Sequence, residues 1–296
     1  MFGCQIWEAL PSNEMESLER TLRYFSRKVQ GFYKTSPSIA THNNIGLPTM
    51  EKLIHKDNLI EFGRLCRMNC DLFPKQLFLS IMNTFLINPP LSGRSSPCEQ
   101  MFITLTNYNL EQHFIDYVFK GVFPDKKTWN SIVNDCIISK HYESVHDTLS
   151  INENMFRYSL ILKDNSVHPL WNILFHYPQC YLEIAFAVKL SCFRIRSDQC
   201  LLCNTYSYDI DKHVMLGCSK NIEERNNVFD TIVDIMDVTD FGILWQKDDD
   251  YILAFLFGAN DKDIIRTDAD TIMEIRLTYV KWLYKHRDSF PLDKLI

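Results

Sequence analysis

CLLCNTYSYDIDKHVMLGC, residues 200–218, has the spacing C-x2-C-x9-H-x4-C. Three thiolates and one imidazole at these intervals supply a closed tetrahedral set for Zn²⁺: a tight turn presents Cys200 and Cys203, and a short helical segment returns His213 and Cys218. Four protein ligands leave no open coordination position, so the ion is expected to fold the loop and not to activate water. Cys192 is the competing ligand on spacing alone. Thioredoxin-like disulfide exchange by the C-x-x-C pair would need a strand before Cys200 and a helix starting at it, in a βαβ setting, and no such pattern precedes it. Three thiolates and Zn²⁺ carry a net −1, which Arg194, Arg196, Lys212 and Lys220 are placed in sequence to offset.

Outward from the motif, the pattern is helical. Asn13 with Glu16 reads as a capping box, and Leu18, Leu22, Phe25 and Val29 follow as one apolar stripe, with Arg20, Arg23, Arg27 and Lys28 on the rest of the helix. Thr49 is the expected N-cap of a second helix with Leu53, Ile54, Ile60 and Leu65 as core candidates, and a third covers Pro74 to Leu86. Asn88 to Pro97 is rich in Pro, Ser and Gly and reads as a linker or exposed loop. Helical patterns resume over 110–119, 126–139, 155–162, 169–175 and 178–189, then, past the motif, over 221–236, 241–257 and 269–286. With 9 Gly and 11 Pro in 296 residues, turns are sparse. The expected fold is all-α, an irregular helical assembly with a small zinc-stabilised loop module. Its expected divisions are 1–88, 89–190 and 191–296.

Composition narrows the function classes. Hydrophobic residues are 46% of the chain, ample for a core. There are 10 cysteines, but in the first twenty residues a short apolar head gives way at once to charged helix with no basic region and no cleavage site, so an intracellular, reducing setting (cytoplasm or nucleus) is expected. No apolar run is long enough to span a bilayer. The net charge is −6, and its distribution is uneven: from Ser219 onward there are 16 acidic and 10 basic residues, which leaves 21 of each in residues 1–218. No strongly basic domain of the kind that binds nucleic acid through phosphates alone is present.

Other chemistry-bearing residues do not assemble. Cys66 and Cys70 lie one helical turn apart with no companion ligand nearby in sequence, and read as packing cysteines. Asp248, Asp249 and Asp250 read as a solvated turn with an N-cap, since no strand hairpin surrounds them. His141, His146, His168 and His176 have no accompanying nucleophile or carboxylate pattern.

A resemblance emerges when the metal motif is joined to the N-terminal text. Phe2-Gly3-Cys4-Gln5-Ile6-Trp7, the strip Arg27 to Phe32, Gly46-Leu47-Pro48-Thr49-Met50 and Phe62-Gly63-Arg64-Leu65 resemble the region downstream of the palm in reverse transcriptases of non-LTR retrotransposons. Residues 194–218 resemble the zinc-binding segment near the end of those polyproteins, with Leu201 where that family often has proline. The resemblance implies a noncatalytic C-terminal region, because the paired-aspartate motif that holds Mg²⁺ on the palm does not occur in this chain. It also implies a partner, RNA or DNA, positioned by Arg20, Arg23, Arg27 and Lys28 and by the loop residues Arg194, Arg196, Tyr206 and Tyr208, the tyrosines stacking on bases. The alternative is a zinc-stabilised structural or protein-interaction remnant that binds no nucleic acid.

Overall fold

Capped and amphipathic helices follow one another along nearly the whole chain. The computed structural model of the chain describes residues 12–32, 36–87, 96–152, 155–162, 167–192, 195, 197–259 and 265–290. The fold is all-α: among the described residues there is no strand, and Gln199 and Tyr206 form an isolated antiparallel bridge. No helix among them is long and apolar enough to cross a membrane.

The chain divides into two compact units, one formed by 1–22 and 48–144, the other by 23–47 and 145–296. In the first, α1 (Ser12–Gln30) contributes its first half, and α2 (Met50–Arg67), α3 (Phe73–Ile87), α4 (Pro97–Asn107), α5 (Glu111–Lys120) and most of α6 (Lys126–Ile151) supply the rest. Thr49 caps α2 as expected, its hydroxyl accepting from the Lys52 N–H at 3.5 Å. The core of this unit is aromatic. Phe62 lies edge-on to Phe78 and Phe123 and stacks on Phe114, and Trp129 is fully buried beside them with its indole N–H donating to the Leu59 carbonyl at 2.8 Å. Lys75, 1% exposed, donates to the Leu65 and Cys66 carbonyls at 2.7 and 2.9 Å and thereby closes the C-terminal end of α2.

Several sequence expectations change. Helix α1 already begins at Ser12, so Asn13 lies inside it and does not cap it. The stripe on its second half is not a core face: Phe25 and Val29 are each 60% exposed, whereas Ser26 and Gln30 are buried, with the Gln30 amide donating to the Ser26 and Thr41 carbonyls. The expected linker around residues 88–97 ends in a helix start. Ser96 is an N-cap in a full capping box with Glu99, and Pro97 occupies the first turn, where its missing N–H costs nothing. Residues 88–95 lie outside the described residues.

In the second unit, α7 (Phe156–Leu162), α8 (Tyr181–Cys192), α9 (Ile222–Ile235), α10 (Val238–Trp245), α11 (Asp249–Leu256) and α12 (Ala269–Lys285) are the main helices. The expected helix over 241–257 is two helices, because Asp248 starts a new one by accepting from the Tyr251 N–H at 2.9 Å. α12 packs on α8 and α9, and α7 on α11. Their shared core takes in Ile184, Leu190, Ile232, Leu253, Phe255, Ile275, Tyr279 and Leu283. Cys200, Ile210, Val214, Met215 and Cys218 belong to the same core, so the metal motif is built into this unit.

Candidate metal centre

The ligands come from two short backbone devices. The first is a turn: the Asn204 N–H donates to the Cys200 carbonyl at 2.9 Å, and the Cys200 N–H to the Thr205 carbonyl at 3.0 Å. Asn204 takes a left-handed φ of 56°, a conformation that asparagine tolerates better than most residues, and this folds the chain back after Cys203. The second is a single helical turn, Ile210–Lys212, that widens into a π-turn over His213–Gly217. A π-turn pairs positions five apart, which suits the five-residue step from His213 to Cys218.

Cys200, Cys203, His213 and Cys218 converge, with their ligand atoms all within 4.8 Å of one another. The Cys200 and Cys218 sulfurs are 3.8 Å apart, and Cys203 Sγ lies 3.1 Å from His213 Nε2. A tetrahedral ion with Zn–S bonds of about 2.3 Å requires sulfurs about 3.8 Å apart. The four groups therefore fit one metal ion held in a closed shell. Cys192 is not among them: it is buried 1% exposed in α8, with the Asn44 amide donating to its sulfur at 3.3 Å, and burial pushes its thiol up to about 12.

The cluster is lopsided. Cys200 and Cys218 are fully buried, whereas Cys203 and His213 are half-buried. The hydroxyl of Thr205 lies 3.2 Å from Cys203 Sγ, and this contact, with the Thr205 backbone and His213, pulls the Cys203 thiol down to about 6. Burial pushes Cys218 up to about 11, so metal binding there must displace a proton. The Arg225 guanidinium donates to the Cys218 carbonyl at 2.8 Å.

The turn that carries His213 is held from behind by a buried ion-pair network. Arg157 on α7 donates to Asp211 at 2.8 Å and to Asp250 on α11 at 3.3 Å, and Lys212 bridges Asp250 at 2.7 Å and Asp209 at 3.2 Å. Burial raises the Asp211 carboxyl, and the Arg157 charge opposes that rise. Sequence reading missed this network. It took Lys212 as a charge offset for the metal, and Asp250 as part of a solvated turn. Lys212 is engaged with carboxylates, and Asp250 is 8% exposed. No local signal links Arg157 to partners 54 and 93 residues away. Asp248 alone behaves as the expected N-cap.

The remaining candidates are dispersed. Tyr206 and Tyr208 lie on the metal loop at 75% and 100% exposure. Arg20 pairs with Glu16 at 3.7 Å, and Arg27 donates to the Ser36 carbonyl at 2.6 Å, while Lys28 sits over the Tyr24 ring. Arg23 lies one turn before Arg27 and, after burial, is the charge that lowers the Arg27 guanidinium. Arg194 and Arg196, and the strip at residues 2–7, lie outside the described residues. Cys66 is buried and Cys70 exposed, and neither belongs to a ligand cluster among the described residues.

Comparison of the chain with family models, with curated proteins and with solved structures finds no match.

Proposed function

We propose that Cys200, Cys203, His213 and Cys218 hold a structural Zn²⁺ and that the loop it fixes positions RNA or DNA, as in the noncatalytic C-terminal zinc-binding part of a reverse-transcriptase-like retroelement protein. The zinc reading rests on the convergence of four soft and borderline ligands at tetrahedral spacing. Zinc matches the donor set, since three thiolates and an imidazole are a closed structural shell for that ion and exclude the hard, oxygen-seeking cations. The ion supplies folding energy, and the chain's own residues do the rest: Asp211 and Arg157 orient the turn bearing His213, and Thr205 holds Cys203.

The observation that carries the nucleic-acid reading is the pair of tyrosines. A metal-fixed loop presents Tyr206 and Tyr208 to solvent with little of either ring packed against the protein. Rigid, exposed aromatic rings are stacking platforms for unpaired bases, worth about 1–3 kcal/mol per base. The sequence resemblance supplies the class of partner.

A second reading, a zinc-stabilised structural or protein-contact element, draws support from the cations. Arg27 is spent on the Ser36 carbonyl and Arg20 on Glu16, and the net charge is −6. Titration of zinc-loaded protein with fluorescent single-stranded RNA and with duplex DNA across a salt series separates the two. The nucleic-acid reading expects binding to single strands at low salt that weakens steeply with salt, and a roughly 5- to 150-fold loss for Tyr208→Ala, the equivalent of about 1–3 kcal/mol. Absence of binding at low salt by protein that carries its zinc would leave the structural reading.

A further inference from the structure

From the lopsided burial of the cluster we infer that the metal centre is also a redox latch: peroxide reaches it through Cys203, converts Cys203 and Cys200 to a disulfide, and releases the ion. The inference rests on the zinc reading above. Three features of the geometry carry it. Cys203 is the only sulfur of the cluster that is not fully buried, with Cys200 and Cys218 both at 0% exposure. The ligand atoms lie within 4.8 Å of one another, so an oxidised Cys203 has a second sulfur at hand without large backbone movement. Cys200 and Cys203 also share one turn, closed by the Asn204 N–H on the Cys200 carbonyl, and their sulfurs converge in the same cluster.

The chemistry balances with hydrogen peroxide as the oxidant. The Cys203 thiolate attacks one peroxide oxygen, the O–O bond breaks, and the products are the Cys203 sulfenic acid and hydroxide, which takes a proton to become water. The Cys200 thiolate then attacks the Cys203 sulfur, the S–S bond forms, and the sulfenic oxygen leaves as hydroxide and is protonated. Two electrons pass from the two sulfurs to the peroxide, and two protons and one peroxide become two waters. The ion keeps only Cys218 and His213, too few ligands for a closed shell. Because Ile210, Val214 and Met215 belong to the core of the second unit, release of the ion loosens that core as well as the loop.

The test uses the full chain, zinc-loaded, with Cys70→Ser to remove an exposed thiol outside the cluster. Zinc is first counted in the reduced protein, then followed with a chromogenic chelator during peroxide addition, with thiol titration and peptide mapping in parallel. The expected result is loss of two thiols for each zinc released, a peptide joining Cys200 to Cys203, and recovery of zinc binding on adding dithiothreitol and zinc. Reduced protein that contains no zinc would overturn the zinc reading and the latch together. Protein that keeps its zinc through peroxide doses that oxidise Cys70 in the unsubstituted chain would overturn the latch alone, as would release accompanied by Cys203 sulfinic acid with no disulfide.

Discussion

At the scale of single residues, the second unit places titratable groups where burial decides their charge. His168 is fully buried. The Leu170 N–H donates to its Nδ1 at 3.3 Å, which leaves Nε2 to carry the proton and donate to Ser191 Oγ at 2.8 Å. A second proton would oppose Nδ1–H to a backbone N–H, and burial with the nearby Arg276 charge holds the imidazole down to about 3. The unfolded chain takes up that proton near the ordinary value of about 6.5, so between pH 6.5 and pH 3 the unfolded state binds more protons than the folded one. Stability contributed by neutral His168 is therefore complete above pH 6.5 and falls as the pH drops through that window. The expected loss is about 2 kcal/mol between pH 7 and pH 5, read as a fall in the urea midpoint. His168→Gln, which cannot titrate, should flatten that slope. An unchanged slope in the variant would show that His168 is not the group responsible. His42, held down to about 4 by burial and by Arg23 and Arg27, adds to the same trend and remains in the variant.

At the scale of elements, close approach and capping matter more than apolar stripes. A Cβ on Gly63 would lie 2.2 Å from Trp129 Cδ1 and 2.3 Å from its Nε1. The α2 backbone and the start of α6 meet there with no side chain between them, and the indole is locked by its hydrogen bond to Leu59. Gly63→Ala must displace a fully buried tryptophan, so the expected cost is about 1–3 kcal/mol despite the helix propensity that alanine gains. Thermal unfolding should register it as a lowered Tm, and a Tm at or above that of the unsubstituted chain would mean that the two helices do not pack this closely. Most helices were legible as periodic patterns, and Thr49 and Asp248 as caps, because those signals are local. Helix α1 was misread at its second half because periodicity says which residues share a face but not which face meets the core. There the buried contacts go to Ser26 and Gln30, through the Gln30 amide, while Phe25 and Val29 stay exposed.

At the scale of the molecule, two separate cores share one chain, and the metal loop belongs to only one of them. Cys200 and Cys218 lie in the core that includes α8, α9, α11 and α12, and Asp211 is tied to α7 and α11 through Arg157. The first unit has its own aromatic core, centred on Phe62 and Trp129. On the proposed zinc site, removal of the ion should therefore act beyond the loop between Cys203 and Cys218. Hydrogen exchange followed by mass spectrometry, before and after chelation, should show protection lost across 156–162, 210–235 and 249–256 and retained over 50–67 and 126–137. Structural zinc contributes on the order of 10 kcal/mol in isolated zinc-finger peptides, as much as the whole stability of many domains, so the effect should be large. Loss confined to residues 200–218 would mean that the loop folds independently of the helices behind it.

The sequence by itself determined the helical character of the chain and the four candidate metal ligands, because both are written in local spacing: one helical period, one turn, one C-x2-C-x9-H-x4-C interval. Tertiary structure alone decided which of these four lie in the core, which two stay partly open to solvent, and which ion pairs hold the His213 turn in place. These depend on residues such as Arg157 and Asp250, 93 positions apart, whose pairing is fixed only when both are withdrawn from water together and neither can be left there unpartnered.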